Sequence, residues 1–214
     1  MELYDKFLEN QPSKKLQKGE IILHQGDRPT VAYMVKSGII KTYDINKEGE
    51  VKIISFESRY ETFPIAWIFN KSISSFYYYE AFTDCELATC SKEEYKAFLF
   101  SSKDVTEVMF DMYVGRYLDF SRRINALTQL KAEDKVLYTL DFLCRRFKGN
   151  NQNLKKVRIL LPISQQEFAN IVGLTRETVS TVMNNLRRKR VVKYRGIEGL
   201  EVNIEKIEEL TSIG

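Results

Sequence analysis

Arg176, Glu177, Ser180 and Thr181 follow one another at steps of one, three and one, which places all four on one side of two helical turns. Such side chains do hydrogen-bond recognition. Arginine donates a parallel pair to a guanine edge, glutamate accepts from a cytosine amine, and hydroxyls serve either partner. The surrounding residues specify the helix that would carry them. Thr175 stands at the N-cap position, and Val179, Val182, Met183 and Leu186 recur at helical spacing on the opposite side. Upstream, Ser164 and Glu167 make a capping-box pair, and Phe168, Ile171 and Val172 supply another apolar face. Gly173 sits where the chain must turn sharply with positive φ. The spacing predicts a helix-turn-helix over residues 163–186.

An ordinary αα-hairpin shares those helices and that turn. The residues beyond Leu186 separate the two readings. Arg187, Arg188, Lys189 and Arg190 form a basic run. Then 191–195 and 200–204 read as two short strands with a turn at Gly196 and Gly199, a two-stranded wing placed to touch phosphates. The overall charge of +4 conceals a division. Residues 1–130 hold 17 Lys and Arg against 19 Asp and Glu, net −2, whereas 131–196 hold 15 against 5, net +10, before an acidic stretch at 198–209. A neutral front and a basic back fit a sensor joined to a nucleic-acid reader.

Other chemistries find little support. No nucleophile–base pair or phosphate-cradling glycine loop is legible, so no enzyme is expected. The three cysteines, Cys85, Cys90 and Cys144, are too few and wrongly spaced for a disulfide framework or a metal site, and no cofactor is expected. Cys85 and Cys90 lie an odd number apart in one predicted strand and should point to opposite faces. The start lacks a signal peptide, and no apolar run approaches the ~20 residues that span a bilayer. The expectation is a soluble, cytoplasmic protein with no membrane partner.

The elements that position the reader fall in three stretches. Residues 1–102 alternate short apolar runs with turns, among them 20–24, 31–35, 38–43, 51–56, 75–80 and 85–90, which predicts a β-roll of the jelly-roll type. Residues 103–130 read as one long helix. On it Thr106, Phe110, Tyr113, Tyr117, Phe120, Ile124 and Leu127 recur at steps of 4, 3, 4, 3, 4 and 3, an aromatic heptad seam ~33 Å long. So narrow a seam suits a second copy of the same helix, although packing on its own domain stays open. A second stripe, Val105, Met109 and Met112 with Val108, is placed to face the roll. Residues 131–214 hold the reader. They open with an amphipathic helix over 132–147 that buries Val136, Leu137, Leu140, Leu143 and Cys144 and ends at Gly149-Asn150, with a strand over 157–161 beyond it. The fold class is α+β.

Roll, long helix and C-terminal winged helix-turn-helix, in that order, resemble the Crp/Fnr family of bacterial transcription regulators. Phe168-Ala-Asn-Ile-Val-Gly-Leu-Thr-Arg-Glu-Thr-Val-Ser180 carries the resemblance almost position by position. Gly19-Glu20, Gln25-Gly26-Asp27, Tyr33, Lys36-Ser-Gly38 and Glu48-Gly49 extend it into the roll, and 132–137 resembles the family's entry to its DNA-binding domain. The resemblance implies a homodimer on an inverted repeat in double-stranded DNA, with Arg176, Glu177, Ser180 and Thr181 reading bases. Ser164, Gln166, Thr175 and Thr178 then match positions that touch phosphate, joined by the basic run 187–190. Members nearest the two name-giving proteins usually carry arginine where this chain has Thr181, so the expected inverted repeat need not have either familiar half-site. RNA polymerase is a candidate partner, although no residue here marks the contact.

Cyclic-nucleotide rolls of the family hold the ligand with a Gly-Glu pair and an Arg-Ser pair. Anchoring on Cys85-Glu86-Leu87 puts Pro64-Ile65 and Ser75-Phe76 at those positions. Between Arg59 and Arg116 there is no arginine, and only Lys71 is left to neutralise a phosphate. A buried phosphate without a paired cation is costly, so a cyclic-nucleotide effector is not expected. In place of those residues stand Phe63, Trp67, Phe69, Phe76 and Tyr77, which either line a pocket for an apolar effector or simply fill the roll. An iron–sulfur sensor would need four cysteines, and a haem would have His24 alone. A competing class is a ligand-binding or protein-interaction module with a vestigial helix-turn-helix, against which the ten excess positive charges of 131–196 speak.

Overall fold

The computed structural model describes residues 2–147, 157–159, 163–195 and 199–211. The chain divides into two units, Met1–Gly115 and Arg116–Gly214.

The first unit is built on two antiparallel four-stranded sheets. One holds β1 (Ser13–Leu16), β8 (Cys85–Cys90), β3 (Ala32–Ser37) and β6 (Thr62–Phe63), in that order. The other holds β2 (Ile21–Leu23), β7 (Tyr78–Ala81), β4 (Ile40–Ile45) and β5 (Val51–Glu57). Strand β8 shows how the unit is layered. Cys85 and Leu87 point between the sheets, into a core with Leu16, Leu23, Val35, Ile40, Phe63, Tyr79 and Ala81. Ala88 and Cys90 point the other way, into a second core with Tyr4, Leu8, Met34, Ile68, Tyr95 and Leu99. The two cysteines do face opposite sides, as their odd spacing requires. Gly38 is fixed by its surroundings: its φ is +82°, and an added Cβ would collide with the Asp84 carbonyl oxygen.

The second core is covered by helices: α1 (Glu2–Glu9), the single turn α2 (Ile65–Ile68), α3 (Lys92–Leu99) and the start of α4 (Lys103–Thr128). The first three go beyond the strand pattern read from sequence. The α3 helix did carry a signal, since the Ser91 hydroxyl caps it by accepting from the Glu94 amide at 3.1 Å. Helix α4 spans 26 residues, about 39 Å, and the division between the units falls within it.

The second unit is organised by α5 (Ala132–Arg146), which packs against α6 (Gln165–Val172), α7 (Arg176–Arg188), α8 (Ile204–Thr211) and β9 (Val157–Ile159). The five apolar residues expected on its inner side are buried, and so are Thr139, Asp141 and Phe142. With α6, α7, α8 and β9 packed against it, α5 keeps only its first turn, Tyr138 and its last two residues open to solvent. Asp141 answers by accepting from Arg145 Nε at 2.9 and 3.0 Å. The wing is broader than the two strands expected. β10 (Val192–Tyr194) pairs with β11 (Leu200–Val202), and β11 pairs on its other edge with β9, Val202 opposite Val157. The expected helix end at Gly149-Asn150, residues 160–162 and the turn at Gly196 lie outside the described residues. Among the described residues no helix is long and apolar enough to cross a membrane.

Candidate nucleic-acid interface

Each end of the helix-turn-helix is tied by its own sequence. The Ser164 hydroxyl accepts from the Glu167 amide at 3.1 Å, and the Glu167 carboxylate accepts from the Ser164 amide at 2.8 Å. Gly173 closes α6 in the left-handed region, φ 73° and ψ 37°. Thr175 caps α7, accepting from the Thr178 amide at 3.3 Å. Phe168, Ala169, Ile171 and Val172 of α6 and Val179, Val182, Met183 and Leu186 of α7 are all buried. With the apolar face committed inward, α7 has one orientation, and its outer turn is fixed.

That turn presents Arg176, Glu177 and Thr181 exposed and Ser180 half-buried. Neither the Arg176 guanidinium nor the Glu177 carboxylate has a partner among the described residues. The Thr181 hydroxyl donates to the Glu177 carbonyl at 3.0 Å, which leaves it an acceptor lone pair and a methyl group for any outside partner. Of the residues expected at phosphate, Ser164 and Thr175 are caps. Thr178 shares a 3.0 Å hydroxyl bond with Thr175, and exposed Gln166 donates to Asn170 Oδ1 at 3.0 Å.

The basic run does not act as one block. Arg187 and Arg188 end α7, while Lys189 pairs with Glu133 of α5 at 2.6 Å and so is held against α5. Arg190 takes φ 57°, a left-handed turn unusual for a side chain of this kind. Arg187 and Arg190 line a groove of about 610 Å³ with Val191, Lys193, Arg195 and Lys206. It lies at the C-terminal end of α7, roughly 18 Å along the axis from Arg176. Lys206 comes from α8, an element the basic run gave no hint of; its Nζ donates to the Lys189 carbonyl at 3.0 Å.

On α4 the seam is largely outside. Phe110 is 67% exposed, Tyr117 70% and Ile124 62%, with Phe120 and Leu127 also exposed. Tyr113 departs from it: it packs on the helical core of the roll together with Met112, below buried Val105 and Met109. The reason is its spacing, since Tyr113 stands four residues after Met109 and belongs to both stripes. Val114 and Leu118, outside the heptad pattern, are exposed and widen the apolar surface.

The aromatic residues read as candidates for an effector pocket do not share one. Phe63 is buried between the sheets, stacked on Tyr79 at 4.6 Å and Tyr33 at 5.3 Å, and Tyr77 packs on the same core. Trp67 and Phe69 are carried by the α2 turn to the other side of the sheet, against the helical core. Phe76 is exposed. Ser75, aligned with a ligand-holding position of the family, is buried with its hydroxyl donating to the Tyr77 carbonyl at 2.6 Å, and the nearby cation Lys71 is exposed. His24 is exposed and lies 3.4 Å from Asp27. Among the described residues no cluster of His, Cys, Asp and Glu could hold a metal. All three cysteines are buried, and burial pushes the Cys90 and Cys144 thiols up to about 12.

An N-terminal unit of two β-sheets, a long helix and a C-terminal winged helix-turn-helix, in that order, define the class of fold. The cyclic nucleotide-binding domain model matches residues 13–102, and the Crp-like helix-turn-helix domain model matches 135–213. The chain belongs to the Crp/Fnr family of transcription regulators. It is 23% identical over 199 residues to the regulatory protein HlyX of Actinobacillus pleuropneumoniae, covering 92% of this chain and 80% of that protein. It is 26% identical over 198 residues to the nitrogen fixation regulation protein FixK of Rhizobium meliloti, covering 91% and 83%. The solved structure of FixK2 from Bradyrhizobium japonicum has the same fold, with a TM-score of 0.75 at 18% identity over 95% of this chain and 98% of that one.

Proposed function

We propose that this chain is a cytoplasmic, homodimeric, sequence-specific DNA-binding regulator whose roll works without a cyclic nucleotide. One observation carries the reading: a helix-turn-helix capped at both helix starts presents Arg176 and Glu177 with no partner among the described residues. Groups so placed are available to a guanine and a cytosine edge. The seam on α4 supplies the second copy, and the dimer sets two α7 helices into successive major grooves about one DNA turn apart. Phosphate contacts come from Ser164, Gln166, Thr175 and Thr178 at the helix starts, from Arg187 and Arg188 in the last turn of α7, and from Arg190 just beyond it.

The absence of a nucleotide follows from charge and space. Pro64, Ile65, Ser75 and Phe76 stand where the ligand would be held, and the Phe63 and Tyr79 rings occupy the interior. An unneutralised phosphate there would face a desolvation cost with no arginine to offset it.

The test is the double substitution Arg176→Ala with Glu177→Ala, assayed on a duplex carrying the preferred site. Each lost base pairing removes about 1–3 kcal/mol of discrimination. Specific binding should vanish and leave the weaker, salt-sensitive binding that phosphate contacts provide. Specific affinity that survives the change refutes the assignment of the reading helix.

A further inference from the structure

The second half of α4 does more than carry the seam. Arg123 is 6% exposed, and Ala126 is fully buried. The Arg123 guanidinium stands over the Phe142 ring of α5, 5.8 Å from its centroid, and Nη2 donates to the main-chain carbonyl of Ile171. Ile171 is the penultimate residue of α6. Its carbonyl is one of the four that a helix end leaves without an intrahelical donor. The Gly173 and Leu174 amides both turn back to the Ala169 carbonyl, at 2.8 and 3.2 Å, so the α6 terminus takes part of its capping from a side chain of α4. A cation suits that negative end of the helix.

The neighbours make the same joint. Asp119 lies 3.3 Å from Arg122 and 3.6 Å from Arg146 of α5. Leu127 approaches the α6–α7 turn, its Cδ2 3.9 Å from where a Gly173 Cβ would stand. Burying a guanidinium is costly beside a well-packed apolar residue of the same volume, so stability alone gives weak reason for it. What a planar, directional donor adds is orientation. A helix held by apolar contacts can slide, whereas one held at a single carbonyl cannot without losing a charged hydrogen bond.

We propose that Arg123 is a positioning residue that sets the angle of the reader on α4, and so the half-site spacing the dimer accepts. This rests on the dimeric DNA-reading function proposed above. The seam residues Tyr117, Phe120, Ile124 and Leu127 occupy the same half of α4 as Arg123. Whatever holds α6 to this half also fixes the distance between the two α7 helices of a dimer.

The experiment uses the full-length protein and a set of duplexes in which two half-sites are separated by spacers of different length, with a single half-site as reference. The wild-type protein should favour one spacing. Arg123→Met should lose about tenfold at that spacing, the scale of a charged hydrogen bond, while single half-site binding is unchanged and neighbouring spacings become nearly as good. Arg123→Lys, which keeps charge and a donor, should recover most of the preference. The proposal is overturned if Arg123→Met keeps the wild-type spacing profile, or if it loses full-site and half-site binding in parallel. A wild-type protein indifferent to spacing overturns the dimeric reading itself.

Discussion

The Thr181 hydroxyl is bonded back to the Glu177 carbonyl, so this position offers a base pair a methyl group and an acceptor in place of the forked donor of arginine. Restoring the fork has a calculable effect. Thr181→Arg should add a preference for guanine at one base of each half-site, worth about 1–3 kcal/mol, without altering the bases assigned above to Arg176 and Glu177. Binding-site selection with the variant checks it, and an unchanged consensus would mean that Thr181 does not face the groove. The cysteines make a second prediction at this scale. With Cys90 and Cys144 pushed up to about 12, their thiolate fraction at pH 8 is negligible, and burial denies access as well. Iodoacetamide at pH 8 should leave the native protein unlabelled by mass spectrometry and label all three after denaturation. Rapid native labelling would contradict the burial.

At the level of elements, the caps that make the reader legible also make it testable. Ser164→Ala removes a hydrogen bond at the start of α6 and leaves the Glu167 amide without its acceptor. The loss should be about 0.5–2 kcal/mol. Calorimetry should therefore show a lowered melting temperature for the reader unit, and an unchanged one would deny the cap. The seam predicts an assembly. Tyr117→Glu with Ile124→Glu places charges in the middle of the exposed stripe, and light scattering should report monomers where the wild-type chain gives dimers. Dimers that persist would put the interface elsewhere.

These elements also show where sequence reading stops. Ser164, Gly173 and Thr175 act within four residues of themselves, so α6, α7 and their turn could be read directly. Tyr113 satisfies two periodicities at once, and only tertiary packing decides between them. The third wing strand pairs 157–159 with 200–202 across some forty residues, which no local pattern encodes. Phe63 and Trp67 sit four residues apart yet face opposite sides of a sheet, because the α2 turn intervenes. No local pattern singles out Arg123; its burial depends on α5 and α6 arriving from elsewhere.

For the molecule as a whole, the division of charge was legible from composition and has a physical consequence. A reader segment at net +10 will bind any duplex weakly through phosphate, with an affinity that falls steeply as salt rises. Non-specific binding alone is therefore no proof of function. Specificity must be shown as the surplus over that background at a stated ionic strength. If the roll, with the Phe63 and Tyr79 rings in its interior, works without a cyclic nucleotide as proposed, the chain should be competent as purified. The most direct measurement is selection of genomic fragments by the purified, ligand-free protein at near-physiological salt, with sequencing of the bound pool. An enriched inverted repeat, with half-sites about one helical turn apart, is the predicted result. Diffuse enrichment that disappears with added salt would contradict it.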